Sequence, residues 1–244
     1  MKKTSYLLAF LAFLPTFSKI VEIENMIDAL KYFETEKNIL VVFDIDNTIA
    51  ESTKPEGGDQ WFYAAMQHFK NQGFNSQEAY DKVIPLYVEF NKKNGIKLVE
   101  NKVVTTIQDL QNNNISVIAL TARSKSIIKT TINQLKKLDV DFSKGSIAQK
   151  NVSFDKFSIP ASFKSGIIFC GDNNKGKILK GFLKQTHLKP KKIIFLDDKR
   201  NCLSQVESTL KKDPIKFIGL RYGFLDKKVQ KFKFTESMLK LPDE

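Results

Sequence analysis

The chain has 244 residues, enough for one well-buried domain with a modest insertion. Its 42% hydrophobic and 11% aromatic content excludes a disordered chain. The formal charge of +12 is mostly lysine spread along the whole length. No tight Lys/Arg block interleaves with aromatics, so a solvated basic surface is favoured over a nucleic-acid partner.

The chain opens on MKKTSYLLAFLAFLPTFSK. Lys2 and Lys3 give a positive start, and the apolar run Tyr6 to Leu14 is too short to span a bilayer. Thr16 and Ser18 place small residues at −3 and −1 of a cut before Lys19, the pattern of a secretory signal peptide. The expectation is a leader over 1–18, a mature domain over 19–244 and no stable membrane span after cleavage. The protein would then be exported, periplasmic or secreted; an uncleaved anchor is the alternative.

Five short apolar runs read as strands: NILVVFDI (38–45), ISVIALTA (115–122), SGIIFCG (165–171), KKIIFLDD (191–198) and IKFIGLRYG (215–223). Helical periodicity fills the spaces between them. Residues 124–139 carry Ile128, Ile132, Leu135 and Leu138 behind Ser124 or Ser126 as an N-cap, and residues 175–187 carry Ile178, Leu179, Phe182 and Leu183. This alternation predicts an α/β fold, a Rossmann-like parallel sheet with helices on both faces. From Ala50 to about Val99 no buried strand occurs. One helix starts after Gly57 and Gly58, and a second runs over 76–93, with Asn75 and Glu78 as a capping box and a kink expected at Pro85. The region reads as a small helical cap inserted between the first two core strands.

Ligands of parallel α/β sheets bind beyond the carboxyl ends of the strands. Strand one ends on Asp44 and Asp46, strand two on Thr121 with Arg123 behind it, strand four on Asp197 and Asp198, and Lys175 starts a helix. Two carboxylates about 4 Å apart repel by ~4 kcal/mol at an effective dielectric of ~20. Such a cluster therefore takes up protons or a hard cation, and an all-oxygen donor set suits Mg²⁺. Only three arginines occur, Arg123, Arg200 and Arg221, and a guanidinium beside the second motif suits phosphate. Cys170 and Cys202 read as two buried free thiols, with pairing in an exported protein as the alternative. Together with the distant His68 and His187 they do not have zinc-site spacing.

The four runs resemble, in order, the motifs of the haloacid dehalogenase-like (HAD-like) phosphatases. DIDNT is similar to their DxDxT signature, VIALT to the strand ending in Thr, NKGKIL to the Lys at a helix start, and IIFLDD to the strand ending in paired acids. The GGDQWF stretch with the leader further resembles an exported bacterial branch and, more loosely, class B acid phosphatases. The resemblance implies a Mg²⁺-dependent phosphomonoester hydrolase acting on a small phosphorylated substrate. Asp44 would be the nucleophile and Asp46 the general acid and base. Thr121, Lys175 and Arg123 would bind the phosphoryl oxygens; Lys177 competes with Lys175 for its role, and the Gly after Lys175 favours the latter. The metal would be held by Asp44, the Asp46 carbonyl and a fourth-motif acid, with Asp198 as ligand and Asp197 in support, and Asn201 as a further polar group nearby. Gly171–Asp172 mimics a fourth motif but precedes the lysine, and reads as a turn. Thr48 reads as a turn cap, Asp59 and Gln60 as pocket lining, and Trp61 as pocket lining or as core of the insert. Two rival functions remain: a non-catalytic secreted interaction module and a nucleic-acid end phosphatase.

Overall fold

The computed structural model describes residues 18–33, 38–145, 147, 152–154, 157 and 159–241. The leader reading falls on residues 1–17, outside the described residues, except for Ser18, which already sits in a strand.

Strand β2 (Ile39–Phe43) is buried along its whole length, as its unbroken apolar run requires of a strand covered on both faces. It lies at the centre of an eight-stranded sheet. The other strands are β1 (Ser18–Ile23), β5 (Ser116–Thr121), β6 (Val152–Phe154), β7 (Ala161–Lys164), β8 (Ile167–Phe169), β9 (Lys192–Asp197) and β10 (Lys216–Tyr222), with β3 (Ala50–Ser52) and β4 (Ile96–Leu98) forming a separate pair. The sheet order is β1-β10-β9-β2-β5-β8-β7-β6. The strands from β1 to β8 run parallel, while β7 and β6 extend the sheet antiparallel.

Side chains alternate between two cores. Val41, Phe43, Val117, Ala119, Ile194 and Leu196 face the layer of α1 (Met26–Leu30), α4 (Lys102–Asn112) and α5 (Ile128–Lys136). Leu40, Val42, Ile118, Leu120, Ile193 and Phe195 face α6 (Lys175–Thr186) and α7 (Arg200–Leu210). The period of two along each strand thus fills both faces, giving the α/β architecture that the apolar runs imply.

The strand read from Ser165 starts two residues later. Ser165 (φ 52°) and Gly166 (φ 78°) form the turn between β7 and β8. Two consecutive positive φ values are the pattern of a tight hairpin, and a Cβ on Gly166 would lie 2.2 Å from the Phe142 carbonyl oxygen. The apolar run hid the Ser-Gly turn signal.

The stretch 50–99 carries α2 (Asp59–Asn71) and α3 (Ser76–Lys93) on a stem made by the antiparallel pair β3–β4. Asn75 and Glu78 form the expected capping box, and α3 continues through Pro85. The cap has its own core of Trp61, Ala65, Val83, Tyr87 and Phe90. A carboxy-terminal segment with α8 (Asp226–Gln230) packs Phe232, Phe234, Met238 and Leu239 against that core.

β2 is the switch point of the sheet: the chain proceeds to β5 on one side and returns to β9 on the other. The crevice beyond the carboxyl end of such a strand is where open α/β sheets bind ligands. The cap stem leaves the core at that same end, so cap and crevice face each other.

Candidate active site

The Asp44 amide still belongs to the sheet and donates to the Leu196 carbonyl at 2.8 Å. The chain then turns back on itself, with the Ile49 and Ala50 amides donating to the Ile45 carbonyl at 2.9 and 3.0 Å. Asn47 takes the left-handed conformation, φ 60°, that asparagine tolerates well. Asp44, Asn47 and Thr48 all end up buried.

Lys175 is delivered from the other side by α6, whose N-cap is Asn174. Gly176 lets the helix lie on α7: a Cβ there would sit 2.1 Å from the Gln205 carbonyl oxygen. The buried Lys175 ammonium donates to Asp44 Oδ1 and Asp197 Oδ2, each at 2.7 Å. Burial alone would lower its pKa, but the two carboxylates beside it hold it well above the ordinary lysine value. Lys177 is exposed, so Lys175, the lysine that precedes Gly176, is the one that reaches the acids.

One lysine donates to two acids, and a third stands beside them. Carboxylate oxygens of Asp44, Asp197 and Asp198 lie within 4.8 Å of one another. At an effective dielectric of ~20, each pair of charges at that spacing repels by about 3.5 kcal/mol. Burial, together with repulsion from Asp197 and Asp46 that Lys175 only partly offsets, raises Asp44 to about 7. Burial and the negative charges of Asp197, Asp59 and Asp44 raise Asp198 well above the carboxylate range.

The two fourth-motif acids differ in how they are satisfied. Asp197 accepts from Lys175 on one oxygen and from the Lys199 amide on the other at 2.8 Å. Asp198 Oδ2 accepts from Asn47 Nδ2 at 3.2 Å, whereas its buried Oδ1 has no hydrogen-bond partner among the described residues. A buried carboxylate oxygen with no donor, beside two further acids, fits a hard cation. Asp198 therefore has the free oxygen a ligand needs, and Asp197 is engaged as a brace. Thr48 does more than cap a turn: its hydroxyl accepts from the Asp198 amide at 3.1 Å, pinning the end of β9 to the loop after β2.

Asp46 meets a different partner. Arg123 Nε and Nη2 donate to its two oxygens at 2.9 and 2.8 Å. Burial by itself would raise Asp46, but the guanidinium outweighs it and holds the carboxyl below the usual range. Arg123 Nη1 donates to Thr131 Oγ1 at 3.1 Å and Gln134 Oε1 at 2.9 Å. Four of its five donors are thus spent on protein groups. Arg123 thus clamps Asp46 and has one donor left over. Gln134 continues the chain, donating to the Asn91 and Asn94 carbonyls at 2.9 and 3.1 Å. A buried polar line thus runs from Asp46 to the end of cap helix α3. Thr121 is fully buried at the end of β5, where its hydroxyl accepts from the Arg123 amide at 3.1 Å and shapes that loop.

A third cluster was not read from the sequence. Lys199 donates to Asp59 Oδ1 at 2.6 Å and lies over the Tyr63 ring at 4.1 Å. Asp59 also accepts from Asn47 Nδ2 at 3.5 Å. Burial raises Asp59 despite Lys199. The sequence clue was a lysine directly after two acids, which paired-acid reasoning passed over.

The remaining candidates fall outside the cluster. Trp61 is core of the insert: it is fully buried, packs edge-on to Phe90 at 5.1 Å and donates to the Met238 carbonyl at 2.9 Å. Asn201 is exposed on the first turn of α7. Arg200 reaches Glu22 at 2.5 Å on the surface, and Arg221 pairs with Asp226 and Glu22. Asp172 sits in the turn before α6. Cys170 is buried, Cys202 is partly buried, and both are free thiols.

A family profile described as "Protein of unknown function (DUF2608)" matches residues 16–240. The chain belongs to that family. Among similar proteins is a "Putative outer membrane protein" of Chlamydia trachomatis, 26% identical over 187 residues that cover 77% of this DUF2608 chain and 70% of the relative. A protein of the same name from Chlamydia muridarum is 24% identical over 185 residues, 76% of this chain and 69% of the relative. Among solved structures, the HAD domain of an effector protein from Legionella pneumophila, in an inactive mutant form, aligns with a TM-score of 0.40 at 14% identity, covering 77% of this chain and 86% of that one. The class C acid phosphatase of Bacillus anthracis aligns with a TM-score of 0.39 at 14% identity, covering 87% and 80%.

Proposed function

We propose that the protein is a phosphomonoester hydrolase of the haloacid dehalogenase type, working through an aspartyl phosphate on Asp44 with Mg²⁺ as cofactor. The observation that carries the reading is the under-compensated triad at the switch point: two buried acids and a half-buried third, one lysine, and a buried Asp198 oxygen without a donor among the described residues. Three of the four sequence motifs supply those residues, and none of the acids or the lysine has been lost, as a purely structural relic would permit.

In the proposed reaction Asp46 first takes up a proton against the pull of Arg123; an Asp44 oxygen then attacks phosphorus while the bond to the leaving oxygen breaks, and Asp46 gives that oxygen its proton. Water then attacks phosphorus, Asp46 takes its proton, and the bond to Asp44 breaks, releasing inorganic phosphate and restoring both acids. Lys175 holds Asp44 and Asp197 in place and offsets charge that grows on the phosphoryl oxygens. Arg123 fixes the direction of Asp46 by its paired hydrogen bonds. Asp44 and Asp198 would hold Mg²⁺, with Asp197 in support; when bound it would neutralise negative charge on the acids and the phosphoryl group.

Export remains the proposed location, resting on the leader pattern. Among the described residues no helix is long and apolar enough to cross a membrane.

The test is hydrolysis of p-nitrophenyl phosphate with Mg²⁺ or with chelator, together with acid-quench trapping of a phosphorylated protein. Activity that needs the cation and a phosphate label lost in Asp44→Asn support the reading. Full activity in Asp44→Asn refutes the nucleophile.

A further inference from the structure

We infer that the substrate carries a second phosphoryl group, received by a lysine-rimmed pocket between the cap stem and the carboxy-terminal segment. This deepens the phosphatase reading and rests on it.

The leaving oxygen has to lie beside Asp46 to take its proton. Two cavities have Asp46 in their walls. The first lies between the cap helices and the loop after β5, among Phe62, Tyr63, Tyr80 and Tyr87, and its volume is about 30 Å³. That is room for about two waters, at ~15 Å³ each by this measure. The second is bounded by Asn47, Asp59 and Gln60 on the catalytic side and has a volume of about 470 Å³. Small-molecule sites run from ~300 to ~1,000 Å³. Size alone directs the leaving group into the second cavity.

Charge then says what the leaving group is. Three acids line this pocket, and each has its own cation: Asp46 has Arg123, Asp59 has Lys199 at 2.6 Å, and Glu51 has Lys97 at 3.4 Å as well as Lys228. Lys54, Lys231 and Lys233 also line it, and among the described residues none of the three has an acidic partner. The wall therefore keeps a surplus of positive charge next to the catalytic acid. A neutral leaving group gains nothing from that surplus, whereas a phosphate dianion is attracted by the ammonium groups of the wall, the more strongly as salt is lowered.

The lysines are held by an anchored backbone. Phe232 and Phe234 pack on the cap core on either side of Lys233, and Trp61 donates to the Met238 carbonyl at 2.9 Å. Lys54 comes from the turn after β3, across the pocket. The pocket is thus a built feature of three chain segments.

The experiment uses the full chain carrying Asp44→Asn, which holds ligand without turning it over, and calorimetric titration with three probes of similar size. These are fructose 6-phosphate, fructose 1,6-bisphosphate and 6-phosphogluconate. The expected result is at least tenfold tighter binding of the bisphosphate than of the monophosphate, a preference that shrinks with added NaCl and disappears in Lys54→Ala/Lys231→Ala/Lys233→Ala. These are exposed side chains whose removal leaves the fold intact, to within ~0.5 kcal/mol each. A preference for 6-phosphogluconate over the bisphosphate assigns the pocket to a carboxylate and overturns the proposal. So does equal binding of the first two probes, or a preference that survives the triple substitution. Wild-type hydrolysis of p-nitrophenyl phosphate is measured in parallel: its absence counts against the phosphatase reading, while lysine-dependent bisphosphate binding can still be seen.

Discussion

Asp44 and Asp46 stand two residues apart on the same turn, yet their surroundings push them in opposite directions. Asp44 is buried, shares one lysine with Asp197, stands beside Asp198, and is raised to about 7. Asp46 has a guanidinium to itself and is held below the usual carboxylate range. Formal charge explains the split: three acids against one cation on the Asp44 side leaves a deficit of two, while one acid against one cation on the Asp46 side balances. Such a deficit suits a hard cation, and the balance fixes the direction of the acid. The same residue type thus acquires two roles from its neighbours alone.

The strongest way to break this comparison is to remove the nucleophile. Asp44→Asn is expected to lower kcat by more than ~10³-fold, with the melting temperature kept or raised because one of the crowded charges is gone. Activity assays and thermal melts on the same preparation check both halves.

Lys175→Met comes next. It leaves the acids on the Asp44 side with no cation of their own, which costs ~3–5 kcal/mol for a buried pair deprived of its partner. For a chain of this size that is a fall of roughly 6–20 °C in Tm. Added Mg²⁺ should recover part of the loss, and a melt unchanged by the substitution contradicts the deficit.

Arg123→Lys probes the balanced side. A point charge keeps the sign but loses the paired geometry. The prediction is a fall of up to ~10²-fold in kcat with little change in Mg²⁺ affinity. An equal loss of metal binding would mean that the two sides are not separate. Gln134→Ala, one step farther along the same buried line, should give a smaller fall of the same kind.

The least disruptive probe concerns the thiols on the Asp44 side. Burial pushes Cys170 and Cys202 up to about 12. A thiol of pKa ~12 is only ~10⁻⁴ thiolate at pH 8, where a free cysteine, near 8.5, is ionised to about a quarter. Because the shift is upward, reactivity is suppressed at neutral pH and returns only as pH climbs. Alkylation of the folded protein by iodoacetamide should therefore keep rising beyond pH 10, and a plateau near pH 9 would sink the idea.

The Asp44 side was largely legible in the sequence, because each of its residues ends a strand or starts a helix. Asp44, Asp197, Asp198 and Lys175 are marked by the apolar runs beside them, and the topology of a parallel sheet brings such ends together. The Asp46 side was not legible in the same way. Arg123 was noticed but its pairing with Asp46 was not, since a guanidinium near a motif says nothing about which acid it meets. Gln134 lies on the buried face of α5 and takes its role only when the cap stem arrives from forty residues upstream. Thr48 and Lys199 likewise act through contacts about 150 and 140 residues away. The short strands β6 and β7 carry too few residues to show a period, and the packing of residues 232–239 on the cap has no local signature.

The most direct measurement is a calorimetric Mg²⁺ titration of the wild-type chain and of Asp198→Ala. The account predicts a single site in the wild type that vanishes when the donor-less oxygen is removed. Equal affinity in both proteins, or no heat of binding in the wild type, would contradict it.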